Sequence, residues 1–154
     1  MLKRILFFLA VIITLGSCQD KTKTTPKDLN TLLDNWHLAA SHADIDSYFS
    51  AFADDAIYIG TDASERWTKH EFYSFCEPYF AKGKAWDFKA FDRKIYFSED
   101  GHTAWFNELL NTWMGVCRAS GVLTLKNGTW KISQYHLSVT IKNEKMKQFL
   151  EIKQ

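Results

Sequence analysis

The sequence predicts an α+β domain in which helices come first and a curved antiparallel sheet wraps them on one face. Apolar residues repeat at helical spacing in the first part of the domain, and their period changes to two from Trp86 onwards. Asn127-Gly128 then separates two alternating runs, which is a strong hairpin signal because a type I′ turn needs positive φ at both central residues. Helices followed by long strands indicate an α+β layout.

The N-terminus has the pattern of a bacterial secretion signal with a lipid attachment site. Lys3 and Arg4 precede an apolar stretch, residues 5–15, and a Leu-Gly-Ser-Cys sequence ends at Cys18. The stretch is too short to span a bilayer as a helix. Small residues followed by Cys resemble the lipobox of bacterial lipoproteins, in which the thiol is acylated. We expect residues 1–17 to be removed and Cys18 to anchor the protein to a membrane of the cell envelope; an ordinary signal peptide is the alternative.

Length and composition fit one domain. The chain has 154 residues, of which 46% are hydrophobic and 16% are aromatic, and this suits a deep core or a pocket with aromatic walls. Loss of residues 1–17 changes the formal net charge from +1 to −1. Without a basic stripe, we expect no nucleic-acid partner. Residues 18–27 are polar and predict a tether, and residues 28–154 form the predicted domain.

Two helices and a short strand are predicted for the first part of the domain. Pro26 stands at the start of the first helix, whose apolar residues keep helical spacing. The second helix carries apolar residues up to Phe52 and is expected to end at Asp54-Asp55. A short strand, residues 56–59, follows.

A third helix is predicted to begin at a capping box. Thr68 is the cap, and Glu71 lies three residues later. Gly83 is the expected C′ residue, and Pro78 should kink the helix.

Four long antiparallel strands are predicted after this helix. The first runs from Trp86 with an irregularity near Asp92, and the second turns at residues 114–115. The Asn-Gly hairpin supplies the last two strands, and a short helix near residues 146–150 is expected to follow.

Alternation across the hairpin places Glu108, Gln134 and His136 on one face of the sheet. With the Asn-Gly loop at the tip, Gly121 lies opposite Gln134 and Ala119 lies opposite His136, and small residues opposite large polar ones leave space. Glu108 reaches the same face from the preceding strand. The register predicts a pocket lined by these three side chains, although one β-bulge exchanges the faces. The alternative is a core histidine and a solvated Glu108.

Six short sequences resemble landmarks of the SnoaL-like branch of the nuclear transport factor 2-like superfamily. They are Ala-Asp-Asp-Ala at 53–56, Ser-Glu-Arg-Trp at 64–67, Ala-Trp-Phe at 104–106, Arg-Ala-Ser-Gly-Val-Leu at 118–123, Asn-Gly-Thr-Trp at 127–130 and Tyr-His-Leu-Ser at 135–138. The resemblance covers about residues 28–141 and implies a cone-shaped domain that encloses a pocket. Members include isomerases, dehydratases, cyclases, hydrolases and binding or assembly domains, so the fold does not fix the function.

Two members of this superfamily indicate which residues line the cavity. In the alignment with bacterial ketosteroid isomerase, Trp36 falls on the catalytic tyrosine and Gly60 on the general-base aspartate, so that chemistry is not supported. The alignment implies that Trp36 and Gly60 and, by alternation, Tyr58 line the cavity. The association domain of the calmodulin-dependent kinase ends in a similar pattern, which implies that His136 faces the cavity. Many SnoaL-like sequences carry an arginine at the position of Arg118.

The hairpin register turns Arg118 to the other face of the sheet. Trp105 and Trp113, with Tyr135, are expected to form an apolar patch on that face. In this superfamily such a face often pairs two subunits, so we predict a homodimer.

The sequence predicts a membrane-anchored lipoprotein that binds a small, partly apolar ligand without catalysis and without a cofactor. The alternative is a lyase, isomerase or cyclase that uses Glu108 and His136 as an acid-base pair. The residues expected to line the ligand site are Trp36, Tyr58, Trp67, Glu108, Arg118, Gln134 and His136.

Histidine and cysteine spacing gives no metal motif. His37 and His42 are five residues apart and fall on different helix faces, and His70 lacks the second histidine of a zinc helix.

An oxidising compartment permits a disulfide between Cys76 and Cys117. Two free, buried thiols are the equal alternative.

Overall fold

The structure, a computed structural model, describes residues 24–152 and confirms the α+β prediction. Its helices are α1 (Pro26–Ser41), α2 (Ile45–Ser50), α3 (Lys69–Phe80) and α4 (Met146–Ile152). Its strands are β1 (Phe52–Ile59), β2 (Arg66–Thr68), β3 (Lys89–Phe97), β4 (Thr103–Thr112), β5 (Gly115–Lys126) and β6 (Thr129–Val139). The predicted signal peptide and Cys18 lie outside the described residues.

The six strands form one curved sheet in the order β2-β1-β6-β5-β4-β3. Strands β3 to β6 are antiparallel neighbours, as expected, whereas β1 runs parallel to β6. One continuous cluster of buried side chains joins the inner face of the sheet to α1, α2 and α3. The sequence predicted neither the short strand β2 nor the parallel pairing of β1 with β6.

Side-chain caps start the helices where the sequence places them. Thr25 is the N-cap residue directly before Pro26, and it forms a capping box with Asp28 in the first turn of α1. At α3, the Thr68 backbone N–H donates to Glu71 Oε2 at 2.8 Å, and the Glu71 backbone N–H donates to Thr68 Oγ1 at 3.3 Å. These reciprocal bonds satisfy N–H groups that have no partner inside the helix.

The predicted ends of α2 and α3 are shifted. Phe52 was expected in α2, but it begins β1, where it pairs with Ile132 of β6. The Ile132 backbone N–H donates to Ala51 O at 2.9 Å, so pairing with β6 ends the helix early. Helix α3 continues through Pro78 and has its C-cap at Ala81, before the expected position.

The hairpin of β5 and β6 follows the predicted register only near its turn. Asn127 and Gly128 have φ of 51° and 79°, as a type I′ turn requires. Leu123 pairs with Ile132 as predicted, but the register then shifts between Ile132 and Gln134. This bulge exchanges the faces of the outer half of β6.

The bulge makes the predicted opposition of small and polar residues wrong. Gly121 pairs with Tyr135, and Ala119 pairs with Leu137. Both partners are buried, so Tyr135 faces the core and the predicted outward patch loses it.

An irregularity in β3 lies where the sequence predicts it. The register with β4 shifts between Phe91 and Lys94, and Asp92 has a positive φ of 49°. Beside the shift, the Arg93 side chain is only 6% exposed. The irregularity therefore directs a cation toward the core.

Cys76 and Cys117 are free, buried thiols. Burial raises the pKa of the Cys76 thiol well above its usual range.

Within residues 24–152, no helix has both the length and the apolar character needed to cross a membrane.

Candidate functional site

A buried carboxylate, Glu108 on β4, is the centre of a charged cluster under the sheet. Its side chain is 0% exposed. Oε1 is 2.9 Å from His37 Nε2 on α1 and accepts a hydrogen bond from the Tyr135 hydroxyl at 3.3 Å. Oε2 accepts a hydrogen bond from Arg93 Nε at 2.6 Å. Both oxygens are therefore engaged, as a buried carboxylate requires.

Arg93 extends the cluster to the surface of α1. Its Nη1 donates to Asp34 Oδ1 at 2.7 Å, to Asn30 Oδ1 at 3.1 Å and to Asn30 O at 3.2 Å. The guanidinium thus lies between a buried carboxylate and an exposed one. We call Glu108, His37, Arg93, Tyr135 and Asp34 the charged cluster.

The charged cluster shifts the pKa values of Glu108 and Tyr135. Burial raises the pKa of Glu108, but the hydrogen bond and charge of His37 and the charge of Arg93 outweigh it, so the net pKa is lowered. Burial and the nearby Glu108 raise the pKa of Tyr135 far above its usual range, so its hydroxyl stays protonated.

The sequence identified Glu108 but gave it the wrong histidine. His37 lies four residues after Leu33 and joins the buried stripe of α1, so its helical position was a signal that it faces the core. Arg93 lies beside the predicted irregularity of β3, but the spacing does not show which way an irregular strand turns its side chains. These two residues are the partners that sequence reasoning missed.

His136 lies on the outer face of the sheet. It pairs with Ser120 and is followed by the buried Leu137, and its Nε2 is 3.3 Å from Ser138 Oγ. The predicted common face for Glu108, Gln134 and His136 is therefore wrong. The bulge before Gln134 is the physical reason.

Arg118 also lies on the outer face, as the register predicted. It is exposed and pairs with Ser138. Trp105 is exposed as expected, but Trp113, which is 84% exposed, lies in the turn between β4 and β5 and lines the same pocket as Tyr58, so the expected patch loses it. Arg118, Gln134 and His136 therefore lie apart from the inner residues expected to share their site.

A pocket with aromatic walls opens between β1, β2 and α3 and has a volume of about 140 Å³. Tyr58 and Phe72 stack with ring centroids 3.7 Å apart, and Trp67 stacks on Phe75 at 4.7 Å. Trp86 also lines the pocket. We call it the aromatic pocket.

One rim of the aromatic pocket is polar. Gly60, Thr61 and Glu65 line it, and Glu65 Oε2 accepts a hydrogen bond from the Asp62 backbone N–H at 3.1 Å. A Cβ on residue 60 would lie 2.9 Å from the Glu65 Cβ and collide with its carboxylate. Only glycine therefore lets this carboxylate lie over the backbone of residue 60.

Two of the predicted ligand residues, Tyr58 and Trp67, line the aromatic pocket. Trp36 is buried behind it and packs edge-on against Tyr135 at 4.6 Å. Within the described residues, Trp36 Nε1 has no hydrogen-bond partner. Glu108 is enclosed deeper in the core. In residues 24–152, no group of three or more His, Cys, Asp or Glu is arranged to hold a metal ion.

Comparison with known proteins agrees with the fold. The model of the SnoaL-like domain matches residues 29–142. A nuclear transport factor 2-like protein from Pseudomonas putida is similar in structure, with a TM-score of 0.64, 16% identity, and coverage of 77% of this chain and 88% of that one. A comparison with curated proteins finds no match.

Two further solved structures share this fold. A nuclear transport factor 2-like protein from Cytophaga hutchinsonii has a TM-score of 0.63 and 19% identity, over 76% of this chain and 100% of that one. The association domain of the calmodulin-dependent kinase of C. elegans has a TM-score of 0.60 and 15% identity, over 73% and 94%.

Proposed function

The chain belongs to the SnoaL-like domain family, and from this premise we propose that it binds a small, flat, partly apolar ligand in the aromatic pocket. The observation that carries the proposal is the set of stacked rings around a concave volume of about 140 Å³. An apolar cavity of about 150 Å³ accommodates a benzene molecule. The expected ligand is therefore about the size of one aromatic ring.

The aromatic walls of the pocket suit the ring of such a ligand, and the polar rim suits a hydrogen-bond donor on that ring. Aromatic pairs contribute about 0.5–1.5 kcal/mol beyond the area they bury, so a ring inserted beside Tyr58, Phe72 and Trp67 gains stacking as well as burial. At the rim, Glu65 offers a carboxylate. A hydroxyl or N–H donor on the ring complements this acceptor.

The charged cluster favours binding over catalysis by Glu108. Both Glu108 oxygens are engaged, and neither Glu108 nor His37 lines the aromatic pocket. General acid-base catalysis requires the group to reach the proton of the substrate. His136 lies on the outer face, so the pair of Glu108 and His136 does not form.

Native mass spectrometry of the purified protein tests this proposal. We expect the same small molecule to accompany the protein in repeated preparations and to be lost from Trp67→Ala. Trp105→Ala is the matched control, because Trp105 lies on the outer face and stacks on Tyr96. Equal loss from both variants, or an empty pocket after expression in different hosts, would contradict the proposal.

Glu65 favours proton abstraction as a second candidate function. Its carboxylate lies over Gly60, the position to which the resemblance assigns the general base of ketosteroid isomerase. A carboxylate beside an apolar wall is suited to remove a proton next to a carbonyl group. We expect deuterium exchange at the α-carbon of cyclohexanone in D₂O to depend on Glu65 and to stop in Glu65→Gln. Exchange at the rate of the solvent control would exclude this activity.

We also propose that the outer face pairs two copies of the chain. Tyr96 and Trp105 stack at 5.9 Å and remain nearly half exposed, and Val116 is exposed on the same face of the neighbouring strand β5. Exposed apolar side chains on one face are typical of partner surfaces. Sedimentation equilibrium should give a dimer for the protein and a monomer for Trp105→Glu; an unchanged mass would contradict the interface.

Lipid attachment at Cys18 stays a proposal and places the protein in the cell envelope. Labelled palmitate should enter the protein and should be absent from Cys18→Ala, which should also leave the membrane fraction. Labelling that survives in Cys18→Ala would place the lipid elsewhere.

A further inference from the structure

Two polar side chains of opposite hydrogen-bonding character line the aromatic pocket. Tyr58 offers a hydroxyl from β1, and Glu65 offers a carboxylate from the rim. We propose that the pocket selects uncharged rings that carry a carbonyl group at their inner end and a hydroxyl or N–H donor at their outer end. This inference rests on the proposed binding function of the same pocket, and it names the chemical class of the ligand.

The first step of the argument is the unpaired hydroxyl of Tyr58. The side chain is only 8% exposed, and it lines the aromatic pocket. Its hydroxyl has no hydrogen-bond partner among residues 24–152, yet it is not one of their fully enclosed unpaired atoms, which are Trp36 Nε1 and Arg93 Nη2. The exposed part of Tyr58, including the hydroxyl, therefore faces the pocket. A buried tyrosine hydroxyl normally has a partner, so here water or a ligand must supply it.

The second step is the direction of the hydrogen bond that Tyr58 can make. Burial raises the pKa of Tyr58 far above its usual range, and the nearby Cys76 and Glu65 raise it further, so the hydroxyl keeps its proton. A protonated phenol donates one hydrogen bond. A ligand that displaces water from this hydroxyl without offering an acceptor leaves the donor unpaired and binds more weakly.

The third step is the charge of the pocket. Glu65 is the only charged side chain among the lining residues, all of which belong to the described part of the chain. It forms no salt bridge within residues 24–152, and its carboxylate accepts a hydrogen bond from the Asp62 backbone N–H. A negative ligand would therefore meet a carboxylate and no cation. The acceptor that Tyr58 requires has to be uncharged, which favours a carbonyl over a carboxylate.

The fourth step is the order of the two polar groups along the pocket. Tyr58 is enclosed by rings, with its centroid 3.7 Å from that of Phe72 and 5.6 Å from that of Tyr135. Glu65 is only half-buried and lies over Gly60 at the rim. The carbonyl of a bound ring therefore points inward, and its donor points outward. A ring with these two groups in para positions, such as p-hydroxyacetophenone, places one group at each end.

Calorimetric titration of the full chain with two matched phenols tests the proposal, at a pH that keeps both phenols un-ionised. p-Hydroxyacetophenone carries the carbonyl, and p-ethylphenol has the same ring and nearly the same shape without it. We expect p-hydroxyacetophenone to bind about fivefold more tightly, which corresponds to one neutral hydrogen bond. p-Hydroxybenzoate, which carries a carboxylate, should bind more weakly than either.

Two matched tyrosine variants assign the difference to one hydroxyl. Tyr58→Phe removes the hydroxyl and keeps the ring that stacks on Phe72, so it should abolish the difference between the two phenols. Tyr96→Phe removes a hydroxyl from the outer face and should preserve the difference. Binding should also shift the ¹³C resonance of carbonyl-labelled p-hydroxyacetophenone downfield, because a hydrogen bond withdraws electron density from the carbonyl carbon. This shift should be absent from Tyr58→Phe and present in Tyr96→Phe.

The outcomes of these titrations separate the ligand class from the proposed function. Saturable binding of p-ethylphenol with no advantage for p-hydroxyacetophenone, or an advantage that persists in Tyr58→Phe, overturns the inference and leaves ring binding intact. Equally tight binding of p-hydroxybenzoate also overturns it. If neither phenol binds saturably, the proposed function fails as well. The comparison of ligands in the unaltered protein remains decisive if Tyr58→Phe does not fold.

Discussion

The inner face of the sheet around Glu108 and the outer face around His136 carry similar side chains in opposite surroundings. Inside, the carboxylate has three hydrogen-bond partners and no exposure, whereas the one side-chain partner of His136 among residues 24–152 is Ser138, at 3.3 Å. Water can replace a lost partner on the outer face but not in the core. We therefore expect substitutions of Glu108 and His37 to destabilise the fold, and substitution of His136 to have little effect on stability.

The largest expected effect is the loss of the inner carboxylate. Glu108→Ala removes the buried counterion of Arg93, which keeps only the exposed Asp34, and the hydrogen-bond partner of His37; the free energy of unfolding should fall by about 3–5 kcal/mol. Urea unfolding followed by circular dichroism measures this loss. A loss below about 1 kcal/mol would mean that the charged cluster is not enclosed.

A smaller loss is expected where the sheet packs against its own core. A Cβ on Gly121 would lie 2.6 Å from Phe106 Cε1 and 2.7 Å from Gln134 O. The backbone carbonyl cannot move cheaply, so Gly121→Ala should cost about 1–3 kcal/mol in urea unfolding. Ser120→Ala, one residue away on the outer face, is the control and should change stability by less than about 0.5 kcal/mol.

Acid should remove the contribution of Glu108. Its folded-state pKa is below the unfolded value of about 4.3, so the stabilisation is fully present above that pH and is lost as the pH falls through the folded pKa. The difference in unfolding free energy between the protein and Glu108→Gln should therefore shrink below about pH 4.3. A difference that grows on acidification would reverse the sign of the pKa shift.

The smallest effect is expected on the outer face. His136→Ala should change the free energy of unfolding by less than about 0.5 kcal/mol. His37→Ala, the matched change inside, removes a hydrogen bond to a buried carboxylate and should cost about 1.5–3 kcal/mol. Equal costs for the two variants would contradict the assigned faces.

The sequence predicts the fold wherever a local rule decides the geometry. The capping box of Thr68 and Glu71 and the turn at Asn127-Gly128 depend on neighbouring residues, and both form as predicted. The bulge before Gln134 has no such local signal, because it depends on how β6 packs between β1 and β5. One extra residue there was enough to exchange Tyr135 and His136.

The residues of the candidate site could be predicted from the sequence only where a local pattern or the family resemblance places them. Tyr58 and Trp67 follow from the family resemblance and line the aromatic pocket. Glu108 follows from alternation along β4, which is regular. Its partners His37 and Arg93 come from distant elements, and strand alternation gives no information about contacts between a helix and an irregular strand.

The most direct test of the central claim, that the aromatic pocket binds a ring-shaped ligand, is ¹⁹F NMR of the protein labelled with 5-fluorotryptophan and titrated with p-cresol. The account predicts saturable shifts of Trp67 and Trp86, which line the pocket, and unchanged resonances for Trp105 and Trp130. Shifts confined to Trp105, or no saturable shift at Trp67, would contradict it.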